Sequence, residues 1–170
     1  MILRRERPDD RAAIFAVHAA AFARFEGGVA PEAPLVNRLR SDGDLVLALS
    51  ILAECDDVVV GHVGCSRGDI DGHPALGLGP LAVLPDHQGR GIGQALMHGV
   101  LAGADALDAS AVLLLGDPRY YRRFGFELAQ PMGVAAPQTE WTQHFQIRRL
   151  NAWSSSIRGT FRYAAAFDRL

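Results

Sequence analysis

Three groups of residues in this 170-residue sequence have types and spacings that could carry chemistry. The first is Gln88-Gly89-Arg90-Gly91-Ile92-Gly93, which follows an apolar run ending in Val83-Leu84-Pro85 and opens an amphipathic stretch. The first N–H groups of a helix lack internal partners and stand at the positive end of its dipole. Glycines let a bulky anion approach that backbone, Arg90 adds a fixed cation, and no proline between Gln88 and Gly93 removes a donor. Such a junction is an anion cradle, suited to a phosphate or pyrophosphate. Glycines at a strand–helix junction also serve tight packing, and Gly91 and Gly93 could do that alone. Two other nucleotide signatures fail. A P-loop needs Lys-Ser or Lys-Thr after its glycines, and a Gly-x-Gly-x-x-Gly fingerprint needs a third glycine where Leu96 stands.

The second group is Tyr120-Tyr121, ahead of Gly125-Phe126. A phenol with pKa of about 10 stays protonated at neutral pH and can act as a general acid. Packing with one wet tip is the competing use of both tyrosines. The third group is a set of possible bases. Glu26, Glu32, Glu54, His62 and His73 qualify by type, but spacing selects none of them. His18, among alanines in a helical stretch, reads as structural.

The elements that must position these groups follow from periodicity. Ile2–Glu6 reads as a strand, and Pro8 stands just inside a helix start with Asp9 and Asp10 in the first turn. Ile14, Val17, Ala21 and Phe22 keep helical spacing, and a second helix is expected over Ala33–Arg40. Leu45–Glu54 reads as a strand that turns at Asp56-Asp57 into Val58–Ser66. Asp71-Gly72 marks another turn, and Ala75–Leu84 is apolar on both faces, as a doubly covered strand is. Ile92 to Leu107 is an amphipathic helix. Ala111–Leu115 is a buried strand, Tyr120–Gly125 a short helix, and Phe145–Leu150 and Gly159–Phe167 late strands, the last with Phe161, Tyr163, Ala165 and Phe167 on one face. Pro80 inside a strand marks a bulge near Gly79-Pro80 that should splay this strand from Ala111–Leu115. The class is α/β: one mixed, largely antiparallel sheet of about six to seven strands flanked by helices, in a single domain over residues 1–170.

Composition narrows the setting. Seventeen Lys+Arg against 19 Asp+Glu argue against a dedicated nucleic-acid binder. Arg148, Arg149 and Arg158 are scattered, and Arg119, Arg122 and Arg123 read as a solvated face. No apolar run approaches the roughly 18–20 residues of a membrane span, and no signal segment follows Met1. Cys55 and Cys65 make neither a disulfide scaffold nor a zinc site, and neither has a recognisable histidine partner for covalent catalysis. No metal is expected, and the reading is a reducing, cytoplasmic setting.

Gln88-x-x-Gly91-x-Gly93 after an apolar strand ending in Val83-x-Pro85 resembles the acyl-CoA-binding motif of the GNAT N-acetyltransferases. The element order of the whole chain is similar too, most of all to the uncharacterised bacterial YhbS-like group. The resemblance implies acetyl-CoA as co-substrate, with the main chain of Leu81, Ala82 and Val83 pairing with the pantetheine arm. It implies a pyrophosphate held by backbone N–H groups across Gln88, Gly89, Arg90, Gly91, Ile92 and Gly93, with Gln94 at the helix start. It makes Tyr121 the thiolate's proton donor, with Tyr120 as the alternative. The family's asparagine-bearing helix is shortened here to Asp117-Pro118. The acceptor is then a primary amine of a small molecule or peptide. The loop holding Glu26 and Glu32 would border its site, and Trp141, Phe145 and Trp153 could line it, core packing or a homodimer seam being their other uses. A non-catalytic acyl-CoA sensor is the alternative function.

Overall fold

The computed structural model describes residues 1–23 and 30–169. Among them, β1 (Ile2–Arg5) is followed by a 3-10 turn at Pro8–Asp10, then α1 (Arg11–Ala21) and α2 (Glu32–Ser41). Next come β2 (Ile51–Cys55), β3 (Val58–Ile70) and β4 (His73–Val83). The second half holds α3 (Ile92–Ala106), β5 (Ala111–Leu115), α4 (Pro118–Tyr121), β6 (Glu127–Leu128), β7 (Val134–Ala135), β8 (Phe145–Arg149) and β9 (Gly159–Arg162).

The strands run in the order β1-β2-β3-β4-β5-β8-β6, with β9 on the far end of β3 and β7 on β9. Pairing is antiparallel except β4 with β5 and β7 with β9. The expected mixed, largely antiparallel sheet is present. Its nine strands exceed the expected six to seven because β6 and β7, two residues each, carry too little pattern to read. Both predicted hairpins form, with Asp56, Asp57, Asp71 and Gly72 at positive φ, as tight two-residue turns require.

Two elements differ from the sequence reading. Over Leu45–Glu54 the strand starts only at Ile51. Leu45 makes a single bridge to Ser66, and Leu47–Leu49 is a 3-10 turn. Leu45 and Leu49 are buried in different clusters while Leu47 is exposed, so this apolar run feeds two cores from a turn. The last strand ends at Arg162, and Phe167 reaches Tyr163 from a 3-10 turn, their ring centroids 4.6 Å apart.

α3 covers one face of the sheet, with Leu96, Met97, Val100 and Ala104 packed on Val63, Cys65, Val112 and Leu114. α1 and α2 cover the other face through Ile14, Leu35, Val36 and Leu39. On that second face, toward β5, β8 and β9, lies a cluster around Leu113, Phe145, Ile147 and Phe161. The bulge sits where Pro80 placed it. Leu81 pairs with Val63 and Leu78 with Cys65, leaving Gly79-Pro80 opposite Gly64 alone. β4 pairs with β5 only at Leu76–Val112 and Gly77–Leu113, and beyond Gly77 the two strands separate.

Candidate active site

β4 runs into α3 through a turn made to leave amides unused. The Gln88 side chain donates to the Val83 carbonyl at 3.0 Å and ties the loop back to its own strand. Gly89 and Gly91 take φ of 72° and 80°, a region open to glycine at no steric cost. The Gln88 N–H donates to the Pro85 carbonyl at 3.2 Å, and the Ala95 N–H donates to that of Gly91 at 3.0 Å. Between them, the N–H groups of Gly89, Arg90, Gly91, Ile92, Gly93 and Gln94 have no backbone acceptor among the described residues. Gln88 therefore closes the turn, and the free donors come from the six residues after it. A side chain on Gly89 or Gly91 would meet nothing within 4 Å. Above the loop is an open cleft of about 420 Å³, bordered by Leu81, Val83, Gln88, Gly93, Tyr120 and Arg123 among others.

Leu81, Ala82 and Val83 give one edge to β3, pairing with Val63, His62 and Gly61. Their other edge faces the gap left by β5. This free strand edge leads directly into the row of free amides, which is the placement an extended ligand with an anionic end requires.

The two adjacent tyrosines go to different places. Tyr120 borders the cleft. Its hydroxyl lies 3.0 Å from where a Cβ on Gly93 would stand, and the Arg123 guanidinium sits 5.0 Å above its ring. Burial raises its pKa, and Arg123 partly offsets the rise. Tyr121 turns toward β5, its ring occupying the space a side chain on Gly116 would need. Burial pushes its pKa up to about 12, with Tyr120 adding to the rise, so the phenol keeps its proton at neutral pH. Tyr163 fills the gap from the other face. Its ring lies 2.8 Å from a Cβ built on Gly77, and the Leu115 N–H faces its hydroxyl. Gly77, the last β4 residue paired with β5, and Gly116, just past the end of β5, thus admit two tyrosine rings beside the splay. The sequence reading placed Tyr163 on an apolar face but gave it no part in the site. Gly77 and Gly116, which make room for the rings, carried no signal of their own.

The possible bases disperse. Glu54 is bound to Arg4, which also holds Asp10. His73 is exposed at the start of β4, Glu32 lies in the first turn of α2, and Glu26 falls outside the described residues. His62 is fully buried and lies 2.9 Å from His18. The aromatic trio divides as well. Phe145 is core, Trp153 packs half-buried against that core, and Trp141 borders a cavity of about 550 Å³ with Leu115, Gly116, Asp117, Arg119, Glu140 and His144. Burial raises the pKa of Cys65 to about 12, which leaves an inert thiol. Among the described residues no three His, Cys, Asp or Glu side chains converge as a metal site would require, and no helix is long and apolar enough to cross a membrane.

The acetyltransferase (GNAT) domain model matches residues 48–128, from the turn before β2 through the tyrosine pair to β6. The uncharacterised N-acetyltransferase YhbS of Escherichia coli K12 is 34% identical over 141 residues, covering 81% of this chain and 84% of its own. The chain belongs to the GNAT N-acetyltransferase family. A second relative from E. coli K12, the uncharacterised N-acetyltransferase YjhQ, is 33% identical over 145 residues, covering 81% of this chain and 80% of its own. The crystal structure of E. coli YhbS in complex with CoA matches with a TM-score of 0.90 at 33% identity, over 99% of this chain and 92% of that one. A GNAT acetyltransferase from Brucella melitensis in complex with acetyl-CoA gives a TM-score of 0.81 at 37% identity, over 98% and 97%.

Proposed function

We propose that this GNAT protein transfers an acetyl group from acetyl-CoA to a primary amine of a small molecule or peptide, by direct attack with both substrates bound. The observation that carries this reading is the run of uncommitted amides from Gly89 to Gln94 at the end of a strand edge freed by the bulge. A pyrophosphate suits the amides, and an extended pantetheine arm suits the edge of Leu81, Ala82 and Val83. The relatives solved with CoA and acetyl-CoA support the same ligand. When bound, acetyl-CoA supplies a carbonyl already activated as a thioester. The protein holds it, admits the amine and manages protons.

We assign protonation of the leaving thiolate to Tyr121. It stands in the splay rather than over the anion cradle, and burial keeps its hydroxyl protonated. Tyr120, against Gly93, belongs to the cradle end of the cleft. The acceptor enters from the face opposite α3. Val112 and Leu114 of β5 point toward α3, so Leu113 and Leu115 point away from it, and Leu115 borders the cavity shared with Trp141 and His144.

Calorimetric titration with acetyl-CoA, followed by CoA release across a panel of primary amines, tests the reading. Saturable binding of one molecule per chain and amine-dependent release of CoA are expected. Binding without release on any amine would favour an acyl-CoA sensor, and absence of binding would remove both.

A further inference from the structure

His18 of α1, His62 of β3, Ser50 just before β2 and Glu6 just after β1 form one unbroken chain. His18 Nε2 lies 2.9 Å from His62 Nδ1, His62 Nε2 lies 2.8 Å from Ser50 Oγ, and the Ser50 hydroxyl donates to Glu6 Oε2. His18, His62 and Ser50 are fully buried. Burial lowers the pKa of His18 to about 4. Burial, with His18 and Arg40 nearby, holds His62 well below its ordinary value, so both rings are neutral.

Only one proton arrangement satisfies these bonds. Ser50 has a single proton and gives it to Glu6, so it accepts from His62 Nε2–H. A neutral His62 then has a bare Nδ1, which accepts from His18 Nε2–H. A neutral His18 is left with a bare Nδ1, and that atom is buried with no hydrogen-bond partner among the described residues. An unpartnered buried acceptor is uncommon in folded proteins and calls for an explanation.

The chain lies on the face where the acceptor is expected. Gly61 faces α3, so His62 points away from it, paired with Ala82 between Leu81 and Val83. The His62 ring rests against Gly64, which is opposite the Gly79-Pro80 bulge. α1 packs across β3 and β4, and His18 stacks on Phe22 toward the end of that helix. The charged groups facing the pair are Glu6 and Arg40; β4 presents Ala82, β3 presents Gly64 and α1 presents Phe22.

We propose that His18 Nδ1 takes the proton that the acceptor nitrogen sheds as its bond to the acetyl carbon forms, and that the chain delivers a proton to Glu6. The inference rests on the acetyl-transfer reading above. A nitrogen beginning to bond a carbonyl carbon is a far stronger acid than a free ammonium, so a neutral imidazole suffices as acceptor. The nitrogen keeps the electron pair of the broken N–H bond. The Nε2 proton of His18 passes to His62 Nδ1, that of His62 to Ser50 Oγ, and the Ser50 proton to Glu6, leaving both rings neutral as Nδ1–H tautomers. Once the product leaves, Glu6 returns its proton along the same bonds and His18 Nδ1 sheds its proton to water, which restores both Nε2–H forms. Glu6, both of whose carboxylate oxygens accept from Arg40, borders an open cavity with Arg4, Arg5, Arg7 and Leu47.

Two measurements decide it. The first is ¹⁵N NMR of histidine-labelled protein from about pH 5.5 to 8.5, below and above the ordinary histidine pKa. It should show Nε2–H and bare Nδ1 on both rings with no titration. A proton on His18 Nδ1, or titration of either ring, overturns the relay. The second is turnover of Ser50→Ala with the best acceptor among benzylamine, spermidine and a peptide α-amine. At pH 7 it should fall roughly 100-fold with the KM for acetyl-CoA unchanged, and recover at alkaline pH, where hydroxide can take that proton instead. Undiminished turnover, or the same loss at every pH, also overturns the relay while leaving acetyl transfer standing. If no amine is acetylated or the variant does not fold, the NMR result decides alone. Failure of the unaltered protein to bind acetyl-CoA removes the transfer reading beneath it.

Discussion

Gly91→Asp, set against Gly91→Asn, isolates the charge that the anion cradle is expected to hold. Gly91 caps α3 at φ 80°, ψ 0°, and a Cβ there meets nothing within 4 Å, so neither substitution creates a clash. Both side chains bear the left-handed conformation at a similar cost of about 1 kcal/mol, which for a chain of this size lowers Tm by roughly 2–4 °C. The two variants differ only in a carboxylate standing among the free amides. A carboxylate about 4 Å from one phosphate oxygen costs about 1 kcal/mol at a water-like dielectric and about 4 kcal/mol at the lower value near a protein surface. Acetyl-CoA affinity in the Asp variant should therefore fall roughly 5- to 1000-fold below that in the Asn variant. Titration calorimetry at low and high salt reads the difference, and added salt should narrow it. Equal affinities for Asp and Asn would mean that no anion sits over these amides, and the assignment of Gly89 to Gln94 would fail with them.

Tyr121→Phe should leave acetyl-CoA affinity near normal and lower turnover by roughly 10² to 10⁴, read in a CoA-release assay; undiminished turnover would return Tyr121 to packing. Gly116→Ala puts a methyl group into the Tyr121 ring and should cost about 1–3 kcal/mol, seen as a lower Tm together with slowed turnover, whereas a variant as stable as the parent would mean the ring has room to move. The Arg4 hydrogen bonds hold Asp10 below its ordinary carboxylate pKa. A folded pKa below the unfolded one means the stabilisation is complete above about pH 4 and lost as pH falls through the folded value. Asp10→Asn should therefore lower Tm at pH 7 and flatten its fall toward pH 3, and parallel acid limbs would refute the assignment.

What could be read from sequence was whatever depends on neighbours along the chain. The cradle is local: two glycines, a helix start and an apolar strand before them. The bulge was legible because Pro80 cannot donate inside a sheet. The same locality explains the failures. Leu45–Glu54 looked like one strand because its apolar residues were counted without knowing that Leu45 and Leu49 serve opposite faces. Tyr120 and Tyr121 could not be told apart by register, because what separates them is Gly93 beneath one hydroxyl and Gly116 beneath the other ring. His18 read as a helix histidine among alanines, for its partner lies 44 positions away.

The splay is also the place where the two sheet faces become accessible to each other. Over most of its width the ladder is closed, and α3 and α1 cannot share a ligand. At Gly79-Pro80 the β3–β4 register slips, β4 loses β5 after Gly77, and the separated edges are occupied by tyrosine rings rather than by backbone hydrogen bonds. The α3 side supplies amides for an anion, and the α1 side supplies a bare imidazole nitrogen at the head of a chain leading to Glu6. On the proposed reading, a thioester held from one face would be attacked from the other with no large movement of the sheet. On the proposed mechanism the acid and the base would stay apart, because Tyr121 belongs to the β5 edge and His18 to the helix over β3 and β4. Their separation predicts that losing either leaves the other's signature intact: Tyr121→Phe should keep the histidine tautomers, and Ser50→Ala should keep the affinity for acetyl-CoA.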